Sequence, residues 1–164
     1  MKNDTQLDQL ADSETSEANG HASQSRARRI LVVDDEPAAR VLAYRVFTEA
    51  GFDVTTVQSG FECLEQFRKR PNWFDLILLD LSMPFMDGEE TFSRLRNIRQ
   101  DIVVVLSTGF IPRERLDRML KAGMAGFLHK PHKPSDLVAH LRAILDSVSL
   151  SRAGCVAGSM ATSF

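Results

Sequence analysis

The sequence predicts an α/β fold, a doubly wound parallel sheet of five strands with helices on both faces. Three observations predict it. Five short apolar runs alternate with five segments whose apolar residues recur at three- and four-residue steps, the helical period. The apolar runs are continuous, as in strands covered on both sides. Glycine or proline punctuates most of the junctions.

The elements follow in order. Ile30 to Val33 is a first strand. Pro37 opens a helix at the position where a missing N–H costs nothing, and Ala39, Leu42, Ala43, Val46, Phe47 and Ala50 form its apolar stripe. Gly51 supplies its stop. Val54 to Val57 is a second strand, and Gly60 precedes a helix carrying Phe61, Leu64 and Phe67, stopped by Pro71. Leu76 to Leu79 is a fully apolar third strand, and Gly88 begins a helix with Phe92, Leu95 and Ile98. Ile102 to Leu106 is a fourth strand, followed by a helix from Pro112 with Leu116, Met119 and Leu120, ended by Gly123. Ala125 to Leu128 is a fifth strand. Pro134, Ser135 and Asp136 make a first turn for a last helix with the stripe Leu137, Leu141, Ile144, Leu145 and Val148. Right-handed crossovers then place helices on both faces of the sheet.

The chain has 164 residues, 43% hydrophobic, which is one domain with tails. Residues 1–29 carry only Leu7 and Leu10 as large apolar residues after Met1 and are predicted to be a disordered tail ending in Arg26, Arg28 and Arg29. The domain is predicted over residues 30–148, and residues 149–164 are predicted to be a flexible C-terminal tail. Twenty basic residues against twenty-two acidic ones give a net charge of −2, which argues against direct nucleic-acid binding. No apolar run is long enough to span a membrane, and the N-terminus lacks the apolar core of a secretory signal, so a cytoplasmic protein is expected. Cys63 and Cys155 give neither metal-ligand spacing nor a disulfide framework, and Cys63 is expected as a small buried apolar residue.

Ligands of such sheets bind at the carboxyl ends of the strands. The first strand ends in Asp34-Asp35-Glu36, the third in Asp80, the fourth in Ser107-Thr108-Gly109, and the fifth in His129-Lys130-Pro131. Singly, each has an ordinary explanation. Asp34 or Asp35 would serve as a helix cap, Asp80 as a loop acceptor, Thr108 as a strand-end hydroxyl, and Lys130 as half of an ion pair. Together they are harder to explain that way. Carboxylates crowded at one edge repel unless a cation or shared protons relieve them. Oxygen ligands with room for water suit Mg²⁺. A lysine and a hydroxyl beside them suit a phosphoryl group.

These residues resemble a bacterial response-regulator receiver domain over residues 30–148. The resemblance is carried by Val33-Asp34-Asp35-Glu36-Pro37, by Asp80-Leu81-Ser82-Met83-Pro84-Phe85-Met86-Asp87-Gly88, by Ser107-Thr108-Gly109-Phe110 and by His129-Lys130-Pro131, in that order and each at a strand end. It implies the flavodoxin-like strand order 2-1-3-4-5. It implies that Asp80 attacks a phosphohistidine and becomes an aspartyl phosphate. Asp35, Asp80 and the backbone carbonyl of Ser82 would be direct Mg²⁺ ligands, with Asp34 acting through water. Lys130 would contact a phosphoryl oxygen. Thr108 would be the switch hydroxyl, Phe127 the aromatic residue that turns inward with it, and Lys130-Pro131 a cis peptide. The implied partners are a histidine kinase or a histidine phosphotransfer protein, and a homodimer through the fourth-helix face is an option in the family.

Two positions that influence phosphoryl lifetime in the family hold Ser82 and Phe110 here, and a bulky Phe110 is expected to hinder an attacking water. His132 stands where a large apolar residue is common. Histidines 21, 129, 132 and 140 form no coherent constellation, so the chain is not read as a phosphotransfer module. The expectation is a single-domain regulator with no DNA-binding output, not an enzyme. A phosphorylation-independent binding module and the receiver segment of a hybrid sensor kinase are the alternatives. A Mg²⁺-dependent phosphatase is disfavoured because Ser82 stands where such an enzyme needs a second acid. A dinucleotide site lacks its glycine-rich loop.

Overall fold

The computed structural model describes residues 26–157. The elements are β1 (Arg29–Val33), α1 (Pro37–Glu49), β2 (Asp53–Val57), α2 (Gly60–Lys69), β3 (Leu76–Asp80), α3 (Gly88–Ile98), β4 (Val103–Thr108), α4 (Arg113–Lys121), β5 (Gly126–His129) and α5 (Pro134–Ala157). The sheet order is β2-β1-β3-β4-β5, with every neighbouring pair parallel. The predicted class and strand order are both present.

The continuous apolar runs serve two cores because side chains alternate across a strand. Leu31, Val33, Ile77, Leu79, Val104 and Leu106 face α2, α3 and α4, where Leu64, Phe67, Phe92, Leu95 and Met119 complete one core. Ile30, Val32, Leu76, Leu78, Val103 and Val105 face α1 and α5, where Ala43, Phe47, Leu137, Leu141 and Leu145 complete the other. Cys63 is fully buried in the first of these, as a small apolar residue.

Register carries the strand ends to one edge. Val33 lies level with Val57 and Leu79, Asp80 with Ser107, and Thr108 with His129. Caps fix the helices that begin there. Ser59 Oγ accepts from the Glu62 N–H at 3.3 Å and starts α2, and Asp87 Oδ1 accepts from the Glu90 N–H at 2.9 Å and starts α3. At the opposite edge Gly51, with φ of 88°, closes α1 in the left-handed backbone that glycine permits.

Two expectations about the tails need correction, apart from residues 1–25 and 158–164, which lie outside the described residues. Residues 149–157, expected as flexible tail, continue α5. Ser147, Ser149 and Ser151 donate their hydroxyls back to the carbonyls of Ile144, Leu145 and Ser147, a bond that a helix accommodates. Residues 26–28, expected as the end of the disordered tail, are exposed but tied to the domain. Arg26 pairs with both oxygens of Asp75 at 2.8 Å, Arg28 donates to Ser149 Oγ at 2.8 Å, and the Arg28 carbonyl accepts from the Asp53 N–H at 2.9 Å. No helix among the described residues is long and apolar enough to cross a membrane.

Candidate functional site

Val32 pairs with Leu78 on the neighbouring strand. Asp34 and Asp80, each two residues further on, therefore project to the same face of the sheet. One oxygen from each of Asp34, Asp35 and Asp80 lies within 4.8 Å of the others. Asp34 and Asp80 are each 5% exposed, whereas Asp35 faces solvent. Neither Asp34 nor Asp35 caps α1, whose N-cap is Glu36 with no side-chain bond. Asp34 Oδ1 instead accepts from the Glu36 N–H at 2.9 Å.

Lys130 reaches across from the end of β5. Its Nζ donates to Asp34 Oδ2 at 2.6 Å and to Asp80 Oδ1 at 3.1 Å. One ammonium thus faces a cluster of three carboxyl groups. Burial pushes the Asp80 carboxyl up; Lys130 opposes this and Asp34 and Asp35 reinforce it, leaving Asp80 above the usual aspartate range. Burial pulls the Lys130 ammonium down, but its bonds to Asp34 and Asp80 outweigh that and hold it above the ordinary lysine value. An incompletely neutralised set of oxygen donors at one point fits a hard divalent cation. Asp34, Asp35 and Asp80 are the residues that would hold it, with Ser82 two positions beyond Asp80 in the adjoining loop.

Thr108 is buried, and its backbone carbonyl accepts from the Lys130 N–H at 2.8 Å. Its hydroxyl is turned into its own loop, donating to the Phe110 carbonyl at 2.8 Å. The Phe110 ring is 77% exposed. Phe127 is 42% exposed and lines a surface depression with Phe110, Ile111, Leu116, Leu120 and His129, between α4 and β5. The peptide between Lys130 and Pro131 is cis, as expected.

Three features escaped the sequence reading. Ser107 Oγ and His132 Nε2 are hydrogen-bonded at 2.8 Å. Arg115 on α4 donates to Asp87 Oδ2 and Glu89 Oε2, each at 2.6 Å. Phe85 holds a φ of 67° with its ring 96% exposed, unusual for a bulky residue, in the loop that joins Asp80 to α3. No spacing rule brings Ser107 to His132 or Arg115 to Asp87; both pairs form only when the strand ends and the helix starts meet.

A family model described as the response regulator receiver domain matches residues 30–142. The chain belongs to this receiver family. A putative transcriptional regulator of Pseudomonas aeruginosa is 34% identical over 118 residues, covering 71% of this chain and 56% of that protein. The phosphate regulon transcriptional regulatory protein PhoB of Escherichia coli is 33% identical over 125 residues, covering 75% and 54%. This receiver chain thus spans about half the length of these curated relatives. Among solved structures, the Vibrio cholerae chemotaxis protein CheY4 is 28% identical with a TM-score of 0.68, over 72% of this chain and 98% of CheY4. A CheY-like receiver domain from Methanospirillum hungatei is 26% identical with a TM-score of 0.71, over 76% and 98%. The receiver fold puts Asp34, Asp35, Asp80 and Lys130 at one point, with Thr108 buried at the end of β4 and Phe127 in the depression between α4 and β5.

Proposed function

We infer that this receiver accepts a phosphoryl group on Asp80 from the phosphohistidine of a histidine kinase or a histidine phosphotransfer protein. The observation that carries this reading is the Asp34, Asp35 and Asp80 cluster gripped by Lys130. A carboxylate oxygen of Asp80 attacks phosphorus; the P–O bond forms as the P–N bond breaks, and the leaving imidazole keeps the electron pair and takes a proton. Asp35, Asp80 and the Ser82 carbonyl, with Asp34 through water, would hold Mg²⁺, which would supply positive charge to the phosphoryl oxygens. Lys130 holds the attacking carboxylate and offers its ammonium to a phosphoryl oxygen.

Phosphorylation adds charge and new acceptor oxygens beside Thr108. Thr108 then exchanges its bond to Phe110 for one to the phosphoryl group, Phe127 turns inward, and the face formed by α4, β5 and α5 repacks for a protein partner. Ser82 and Phe110 set how long the phosphoryl group survives. The chain is a phosphorylated switch rather than an enzyme. It works in the cytoplasm through protein contacts.

The test is acetyl phosphate with Mg²⁺ followed by intact mass, with an EDTA control. Wild type is expected to gain one phosphoryl group, and Asp80→Ala none. Equal labelling of both would move the acceptor elsewhere. No labelling of wild type by acetyl phosphate or by a phosphohistidine donor would favour a phosphorylation-independent binding module. In the same assay Phe110→Ala is expected to lose its phosphoryl group faster than wild type; an unchanged decay removes Phe110 from the lifetime.

A further inference from the structure

We propose that His132 is a positioning residue for phosphoryl transfer, acting through Ser107 to fix the loop from which Lys130 reaches the acceptor. The proposal rests on Asp80 being that acceptor. Two ties hold the start of the β5–α5 loop against β4. One is the Lys130 N–H donating to the Thr108 carbonyl at 2.8 Å. The other is the hydrogen bond between Ser107 Oγ and His132 Nε2 at 2.8 Å. The Lys130 side chain leaves the loop between these two points.

Lysine has a long flexible stem, so the place of its ammonium depends on how firmly its backbone is held. The first tie fixes the loop at the Lys130 backbone nitrogen. The second fixes it again through the His132 ring.

The anchor is not a remote one. Ser107 is the register partner of Asp80 on the adjacent strand, so its hydroxyl projects on the face that carries the Asp80 carboxyl. Ser107 is 3% exposed. Its backbone carbonyl accepts from the Leu81 N–H at 3.2 Å, directly after the acceptor. Ser107 therefore joins the exit of β3 to the Lys130 loop, and His132 is the group that makes the second half of that joint.

The ring suits this role in charge as well. Burial, and then the nearby Lys130 ammonium, push His132 below the ordinary histidine value, so at neutral pH it is an uncharged partner. It adds no charge to compete with Lys130 for the carboxylates. As Lys130 shifts its grip from the carboxylate to a phosphoryl oxygen, the loop beneath it stays where Ser107 and His132 hold it.

Phosphorylation of the full chain by acetyl phosphate at saturating Mg²⁺, read by intact mass over a range of donor concentrations, tests this. The set is wild type, His132→Phe, His132→Gln, Ser107→Ala and the double variant Ser107→Ala/His132→Phe. His132→Phe and Ser107→Ala are each expected to lower the maximal rate roughly five- to tenfold, the size of one lost hydrogen bond. The donor concentration at half-maximal rate should stay within about twofold of wild type. The double variant should be no slower than the slower single one, because both remove the same bond. His132→Gln should recover much of the rate, since its amide can reach the hydroxyl.

A His132→Phe protein as fast as wild type overturns the proposal, as do single effects that multiply in the double variant. Ser107→Ala removes one oxygen atom and carries the test if His132→Phe does not fold. A wild type that takes no phosphoryl group from acetyl phosphate or from a phosphohistidine donor, or an Asp80→Ala protein that takes one equally, overturns the acceptor reading itself and the role of His132 with it.

Discussion

At the scale of the residue, Asp80 shows what the site costs the fold. Burial pushes its carboxyl up, Asp34 and Asp35 add to this, and Lys130 only partly opposes it. A carboxyl raised in the folded state favours the protonated acid there, so its ionised form works against folding at neutral pH. That handicap lessens as pH falls through the raised folded value towards the ordinary aspartate value. Asp80→Asn, which keeps the shape and removes the charge, is expected to raise the urea midpoint at pH 7, with the margin over wild type shrinking as pH falls to about 4. Mg²⁺ should relieve the same repulsion, and so should raise the melting temperature of wild type more than that of Asp80→Asn. Equal shifts in the two proteins would show that the metal binds away from this cluster. Cys63 is the opposite case, a titratable group with no work at the site. Burial pushes its thiol up to about 12, and it packs as an uncharged apolar residue.

At the scale of the element, the loop from Asp80 to α3 shows how closely a helix start is fitted to the acceptor. A Cβ built on Gly88 would stand 2.4 Å from the Asp80 carbonyl oxygen and 2.8 Å from Leu81 Cα. Both obstacles are backbone, so neither can rotate away. Helix propensity favours alanine over glycine by about 1 kcal/mol. Forcing a methyl group into filled space costs about 1–3 kcal/mol, so the clash wins. Gly88→Ala is expected to lower stability in urea melts and to slow acetyl phosphate labelling, because the displaced backbone is that of the acceptor. A neighbouring element is tied to the same loop. Arg115, in the first turn of α4, bonds both Asp87 and Glu89 at the start of α3. Asp87 also caps α3, so one carboxylate serves two helices. Pairs this exposed contribute about 0.2–1 kcal/mol each. Arg115→Leu is therefore expected to cost about 1 kcal/mol, to raise amide exchange in the first turn of α4, and to lose less stability than wild type on adding salt. Unchanged exchange there would mean that packing of Met119 alone holds the helix.

At the scale of the whole molecule, what was legible in the sequence follows from what is local. The five apolar runs and the five helical stripes stood out because periodicity is a property of neighbours along the chain. The strand ends stood out because Asp34, Asp35, Asp80, Thr108 and Lys130 each end a run. What was not legible is held by long-range contacts. The bond between Ser107 and His132, the link from Arg115 to the start of α3, and the clamp at the far edge of the sheet join residues with no periodic relation. That clamp also explains why Arg26, expected in a disordered tail, is held to the domain. Its guanidinium pairs with both oxygens of Asp75, and Asp75 Oδ2 also accepts from the Arg29 N–H at 2.8 Å, so one carboxylate ties the entering chain to the segment before β3. Burial pushes the Asp75 carboxyl up, but Arg26 and the Arg29 N–H outweigh it and hold Asp75 below the usual aspartate range. A carboxyl lowered in the folded state adds stability that is complete above its unfolded value and is lost as pH falls through its folded value. Asp75→Asn is thus expected to unfold at lower urea than wild type at pH 7, with the gap unchanged down to about pH 5 and closing as the pH falls below about 4. The direction is opposite to that of Asp80→Asn, so the two variants, melted side by side over the same pH range, separate the carboxylate that holds the fold from the one that serves the site. A gap for Asp75→Asn that persists undiminished at pH 2 would mean that Asp75 contributes through shape alone, and the entering segment would then owe its place to the Arg28 contacts with Asp53 and Ser149.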